Sequence, residues 1–312
     1  MNASQPATRP NSTRLAILLP FAIVTLIWGS TWLVIRDQLG PGGVGVPPSW
    51  SVTYRFILAA AAMTVVALIR RESFRLDARG WAFAAAVGLF QFCGNFNLVY
   101  RAEQFITSGL VAVLFACLLI PNALLARVFL GQRLGRQLLI GSAIALGGIA
   151  LLLLHEARSD PRGPAASLVG VAFTAAAILS ASIANVLQAT DTAKRYPLYS
   201  TLAVAMTLGA LIDAALAFAI AGPPVIETRP AYWFGVVYLA LFASALAFPL
   251  YYQVLRVIGP AKAAYSSVIV PVIAMALSTA FEGYRWSPLA AGGAVLAAIG
   301  LVIALTARRP AR

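Results

Sequence analysis

The chain of 312 residues is 61% hydrophobic and only 11% charged, with a mean hydropathy of +0.85. Soluble domains carry about 25% charged residues, so a soluble enzyme or binding module is excluded and a membrane protein is indicated. A formal net charge of +13 would suit a nucleic-acid partner, but the basic residues sit in the links between apolar runs and alternate rich and poor, which excludes one.

Ten apolar runs, each close to the roughly 20 residues a helix needs to cross a bilayer, fall at about 15–35, 49–69, 80–99, 106–126, 137–154, 167–188, 199–220, 231–252, 262–281 and 287–306. The expected fold is an all-α polytopic membrane protein of ten transmembrane helices. Residues 1–14 and 307–312 are read as tails, 15–154 and 167–306 as two five-helix units, and 155–166 as an external linker. Met1 to Thr13 holds one Arg and no acid, and no small-residue cleavage site follows, so the first run is expected to be retained as a span. Lys and Arg total 16 in the basic set of links and 6 in the other, which places both termini in the cytoplasm.

Along the chain, the first span carries Trp28-Gly29-Ser30-Thr31-Trp32. Trp28 is either a cavity wall or a packing residue, while Trp32, nearer the outer end, is expected to anchor at the interface. Gly40-Pro41-Gly42-Gly43 to Pro47-Pro48 forms an external turn, after which Arg55 enters the second span. A charge at that depth faces protein interior or water, and Asp213 in span seven lies at similar depth, so the two are candidate partners in coupling or gating. In span three, Gln91 and Asn95 share one helix face, with Asn97 and Tyr100 further on; such amides point inward, as cavity lining or as links between helices. Pro121 and Pro271, in spans four and nine, are candidate kinks of a gating pair. Spans five and ten are Gly-rich, with Gly141, Gly147, Gly148, Gly292, Gly293 and Gly300, faces that serve either a homodimer contact or neighbouring spans of the same chain. Asn185 and Gln188, Tyr251-Tyr252-Gln253, and Tyr265-Ser266-Ser267 lie at cytoplasmic ends, as vestibule lining or as an aromatic belt. The two cysteines, Cys93 and Cys117, read as small buried residues, with no disulfide framework or metal site.

The second half repeats the outline of the first. Tyr100 precedes Pro121 by 21 residues and Gly141 follows 20 later; Leu250 precedes Pro271 by 21 and Gly292 follows 21 later. An odd number of spans per copy turns the second copy over, which is the inverted-repeat plan of secondary transporters with a site between the copies.

These residues resemble the EamA-type repeat of the drug/metabolite transporter superfamily: Trp28-Gly29-Ser30, Arg55-Phe56, Pro121 and Leu130-Gly131-Gln132-Arg133-Leu134 in the first half, Tyr251-Tyr252, Pro271, Glu282 and Gly292 to Gly300 in the second. Gln132 stands where the repeat commonly has the acid that Glu282 keeps. The resemblance implies an inner-membrane carrier with a central cavity, exporting amino acids or other metabolites, and the chain is similar to aromatic amino-acid exporters of the YddG kind.

No Walker-type loop is present, so no nucleotide drives transport from within the chain, and no cofactor is expected. The single His, His155, lies in an external link, and Asp213 is the one acid placed to relay protons. Facilitation or exchange is expected ahead of proton coupling. The inward residues suit a neutral or zwitterionic small molecule: Trp28, Gln91, Asn95, Tyr100, Asn185, Gln188, Tyr252, Gln253 and Tyr265 are the candidate binding residues. An intramembrane enzyme would need a His or Cys cluster that the spans lack. The remaining rival is a non-transporting scaffold subunit.

Overall fold

A computed structural model describes residues 10–40, 45–132, 135–159, 164–263 and 266–306. The described residues are almost wholly helical, without strands. Ten long helices follow one another: α1 Pro10–Leu39, α2 Pro48–Ile69, α3 Ala78–Ala102, α4 Ser108–Leu130, α5 Arg136–Ser159, α6 Pro164–Gln188, α7 Leu198–Ala221, α8 Pro230–Ile258, α9 Ser266–Phe281 and α10 Pro288–Leu305. Short helices Asp191–Arg195 and Pro260–Ala263 lie between them.

The first eight contain stretches long and apolar enough to cross a membrane, whereas the apolar parts of the last two, Ile269–Phe281 and Pro288–Ala304, are shorter. At 1.5 Å per residue, the 18 residues of α10 extend about 27 Å, close to the hydrocarbon thickness despite the shorter run. Local chemistry fixes several ends: prolines open α2, α8 and α10, where a missing N–H costs nothing, and Ser287 accepts from the Ala290 amide at 3.0 Å to cap α10.

The glycines of α5 and α10 face each other. A Cβ on Gly141 would sit 2.3 Å from the Ala304 nitrogen and 2.5 Å from the Gly300 carbonyl oxygen, so only hydrogen fits. Gly148 meets Ala297 and Gly293 in the same way. The faces carrying Gly141, Gly148, Gly293 and Gly300 are spent within the chain, whereas a Cβ on Gly147 or Gly292 would meet nothing within 4 Å. Elsewhere α2 packs along α7, and α3 lies against α6 and α7.

Two helices contain a π-helical stretch. α3 is π-helical over Gly88–Asn95 and α8 over Leu241–Leu246. A wider turn displaces the backbone ladder and leaves carbonyls looking for donors. One such carbonyl in each stretch is taken by another helix: Ser180 Oγ of α6 donates to the Phe90 oxygen at 2.7 Å, and Trp28 Nε1 of α1 donates to the Ala243 oxygen at 3.1 Å. Replacing Ser180 by Ala is expected to cost about 1 kcal/mol, read as a lowered thermal midpoint in detergent; an unchanged midpoint would mean that the carbonyl finds another donor.

Candidate functional site: a cavity in the middle of the bundle

A cavity with about 820 Å³ of empty space, its open mouth included, lies among helices of both halves. α1 contributes Trp28, Thr31, Trp32 and Ile35; α2 contributes Arg55; α3 contributes Gln91, Asn95, Phe96 and Val99. From α4 come Ala112, Phe115, Ala116 and Leu118, from α6 Ala181 and Asn185, and from α8 and α9 Phe248, Tyr251, Val270 and Pro271. The wall is therefore aromatic and aliphatic, interrupted by three amides, one threonine and one cation.

Three of the wall residues are held from behind. Trp28 turns its N–H to Ala243 and packs its ring 4.9 Å from Tyr251 and 5.4 Å from Phe248 between centroids, so it presents an apolar face to the cavity. Gln91 Oε1 accepts from the Tyr252 hydroxyl at 3.2 Å. Arg55 is 1% exposed, donates through Nε to Ser244 Oγ at 3.0 Å, and lays its guanidinium over the Phe96 ring at 4.1 Å.

Of the residues singled out from sequence, the structure brings Trp28, Gln91, Asn95, Asn185, Arg55 and Pro271 to the cavity. It moves others away. Tyr100 is fully buried and donates to Gln38 Oε1 at 2.7 Å, and Tyr252 lies behind Gln91. Gln188 accepts from Arg256 Nη2 at 2.9 Å, and Gln253 is exposed and donates to Tyr199 at 2.7 Å. Tyr265 lies outside the described residues. Pro121 is off the wall, but the chain just before it tightens into a 3₁₀ turn at Ala116–Leu118, the strain expected where a helix loses an amide donor.

The expected pairing of Arg55 with Asp213 is corrected: Asp213 Oδ1 accepts from Asn97 Nδ2 at 2.6 Å, and its carboxylate neighbours the Cys93 thiol. Cys93 is therefore part of a buried polar group rather than plain filler. Depth along two helices matched, but the side chains approach α3 from different sides. Trp32 is likewise not an interface anchor; it is 8% exposed and packs on Phe115 at 5.2 Å. Its spacing of four from Trp28, and that of three between Phe248 and Tyr251, were the available signals for these wall residues.

At the end of the bundle where α1 and α3 finish and α4 starts, the two halves are tied together. Glu282, just past α9, accepts from the Ser108 amide at 3.3 Å, from Ser278 Oγ at 3.0 Å and from Ser108 Oγ, and so caps α4. Arg36 donates to the backbone carbonyl of Glu103. Glu103 itself is 0% exposed and neither carboxylate oxygen has a hydrogen-bond partner. Burial, and then the Glu282 charge, push its pKa well above the ordinary carboxylate value, with Arg36 opposing. An acid whose folded value is raised contributes stability that is full below about pH 4.3 and is lost as pH rises through the folded value. Glu103→Gln is therefore expected to raise the thermal midpoint at neutral pH and to flatten its decline between mildly acidic and neutral buffers. A variant as pH-sensitive as the parent would contradict this.

Sequence similarity extends along the chain. The EamA-like transporter family matches twice, over residues 15–154 and 168–306. The chain belongs to the EamA-like transporter family. Among relatives, protein PagO of Salmonella typhimurium is 24% identical over 95% of this chain and 94% of its own length. The uncharacterized inner membrane transporter YedA of Escherichia coli K12 is 29% identical over 89% and 87%, and the uncharacterized transporter YoaV of Bacillus subtilis 23% identical over 83% and 86%. A crystal structure 20% identical in sequence matches with a TM-score of 0.68 over 95% of this chain and 99% of its own, which shows a common fold. This EamA protein is a membrane transporter of small metabolites and not an enzyme.

The double match gives the irregular helices a meaning. The interval from residue 15 to residue 168 is also the interval from Gly88 to Leu241, where the π-helical stretches begin, and from Phe90 to Ala243, whose carbonyls are captured. In each EamA copy the first helix reaches across to the third helix of the other. The two captures are the same contact, made once by an indole and once by a hydroxyl.

Proposed function

We propose that this EamA protein is a secondary transporter of the inner membrane that exports a small neutral or zwitterionic metabolite, most simply an amino acid with an aromatic or other apolar side chain. The observation that carries the reading is the cavity walled by both copies, with aromatic faces for an apolar body and the amides of Gln91, Asn95 and Asn185 for polar groups. Five helices in each copy turn the second copy over, so rocking one against the other would open the cavity to each side in turn. The charged links support a cytoplasmic position for both termini.

Asp213 is off the cavity wall, which favours facilitation or exchange over proton coupling. The test is counterflow in proteoliposomes with labelled amino acids and nucleobases. Exchange of apolar amino acids is the expected result, insensitive to an imposed pH gradient; exchange of nucleobases alone would overturn the substrate class, and no exchange of any solute would favour a scaffold.

A further inference from the structure

We infer that the cavity selects its solute by a carboxylate bound at Arg55, and that an amino group on the solute is dispensable. This deepens the transport reading and rests on it. Arg55 supplies the one formal charge on the cavity wall, where no acid is present. Its Nε is used by Ser244 and it neighbours the Tyr100 hydroxyl, but Nη1 is buried with no partner. Among the described residues no carboxylate pairs with it, since Asp213 is engaged by Asn97.

A buried guanidinium without a counter-charge is a costly group, because its hydration has been given up and nothing ionic replaces it. Rings of Phe96 and Phe56, 4.1 and 5.2 Å from its central carbon, compensate only partly. A carboxylate entering the cavity would accept from the unpartnered Nη1 and supply the missing charge in surroundings that exclude water. The rest of the wall offers a cation aromatic faces but no acid. Asn95 Oδ1 is a buried acceptor without a partner, suited to an amine or a hydroxyl, but it is neutral and shares the cavity with Arg55. An ammonium group therefore gains one neutral hydrogen bond against like-charge repulsion, whereas a carboxylate gains a charge-assisted one. A single guanidinium also sets the size of the charge, suiting a monocarboxylate over a phosphate ester.

Matched sets of solutes separate the two groups. In detergent, the purified full chain is titrated with phenylalanine, 3-phenylpropionate and phenethylamine, and with leucine, 4-methylpentanoate and isopentylamine, following ligand-induced shifts of the thermal midpoint. This readout is unaffected by passive leak of weak acids. The amino acid and the amine-free acid of a set are expected to bind within about threefold of each other, and the amine about tenfold or more weaker, as loss of a charge-assisted contact requires. Arg55→Gln should weaken the acids about tenfold and leave the amine bound at least as well as by the parent, with Arg55→Lys retaining part of the preference. Amines binding as well as acids, or Arg55→Gln binding acids as the parent does, would overturn the inference while leaving a transporter in place. If Arg55→Gln does not fold, the series on the parent protein decides. Failure of all six to bind the parent, with other solutes still exchanging in proteoliposomes, would overturn the carboxylate assignment alone; no exchange of any solute would overturn the transport reading as well.

Discussion

Gly141→Leu is expected to abolish the folded protein rather than weaken it. The first added carbon already lies 2.3 Å from the backbone nitrogen of Ala304 and 2.5 Å from the carbonyl oxygen of Gly300, and neither atom belongs to a side chain that can swing away. Leu places three more carbons beyond it, so α5 and α10 must separate along their length. Overpacking a rigid contact costs about 1–3 kcal/mol for a methylene or two, and a whole isobutyl group against backbone exceeds that range. The measurement is the monodisperse fraction after extraction in detergent, expected to fall close to zero. Gly147→Leu serves as the control, since no atom lies within 4 Å of a Cβ there and the variant should behave as the parent does. Equal yields of the two variants would refute the backbone-to-backbone contact.

Trp28→Ala is the second large effect. The substitution removes a ring packed on Phe248 and Tyr251 and orphans the Ala243 carbonyl inside the π-helical turn of α8. Aromatic-to-alanine changes in cores cost about 3–5 kcal/mol; Trp28 is only partly buried, so about 3 kcal/mol is expected. Transport should be lost as well, because the wall opposite Arg55 and the amides recedes. Trp28→Phe separates the two contributions. It keeps an aromatic face and loses the hydrogen bond, so stability should fall by about 1 kcal/mol while exchange persists. Thermal denaturation and counterflow on the same preparations distinguish them, and a Phe variant as damaged as the Ala variant would give the hydrogen bond more weight than assigned here.

The helices were legible because hydropathy along a chain is a one-dimensional signal, and nine of the ten runs begin within a few residues of the observed apolar helices. The repeat was legible for the same reason. What sequence did not carry was azimuth. Arg55 and Asp213 share a depth, yet each points to a different side of α3. Tyr252 and Tyr251 are neighbours in the chain, yet only Tyr251 meets the cavity while Tyr252 supports Gln91 from behind. The π-helical turns compound this by rotating everything beyond them, and no residue pattern in Gly88–Asn95 or Leu241–Leu246 announces a wider turn. Type and position alone put Gln188 and Gln253 in a vestibule, but Gln188 is fully buried beside Arg256 and Gln253 is exposed beside Tyr199.

The cap that Glu282 makes on α4 has a thermodynamic consequence for a carrier that must open at both ends. An acid accepting from two serines and an amide binds one end shut with a charge-assisted contact. The resemblance of the copies would put Gln132, a neutral amide, where this acid stands. Two ends built alike would leave the two open forms equally populated, whereas an acid clasp at one end without its like at the other tilts the balance, tenfold for every 1.4 kcal/mol of difference. In the proposed orientation the acid clasp is external. The empty protein then waits with its cytoplasmic side the easier to open, and for an exporter that sets the idle carrier toward the compartment from which its cargo comes.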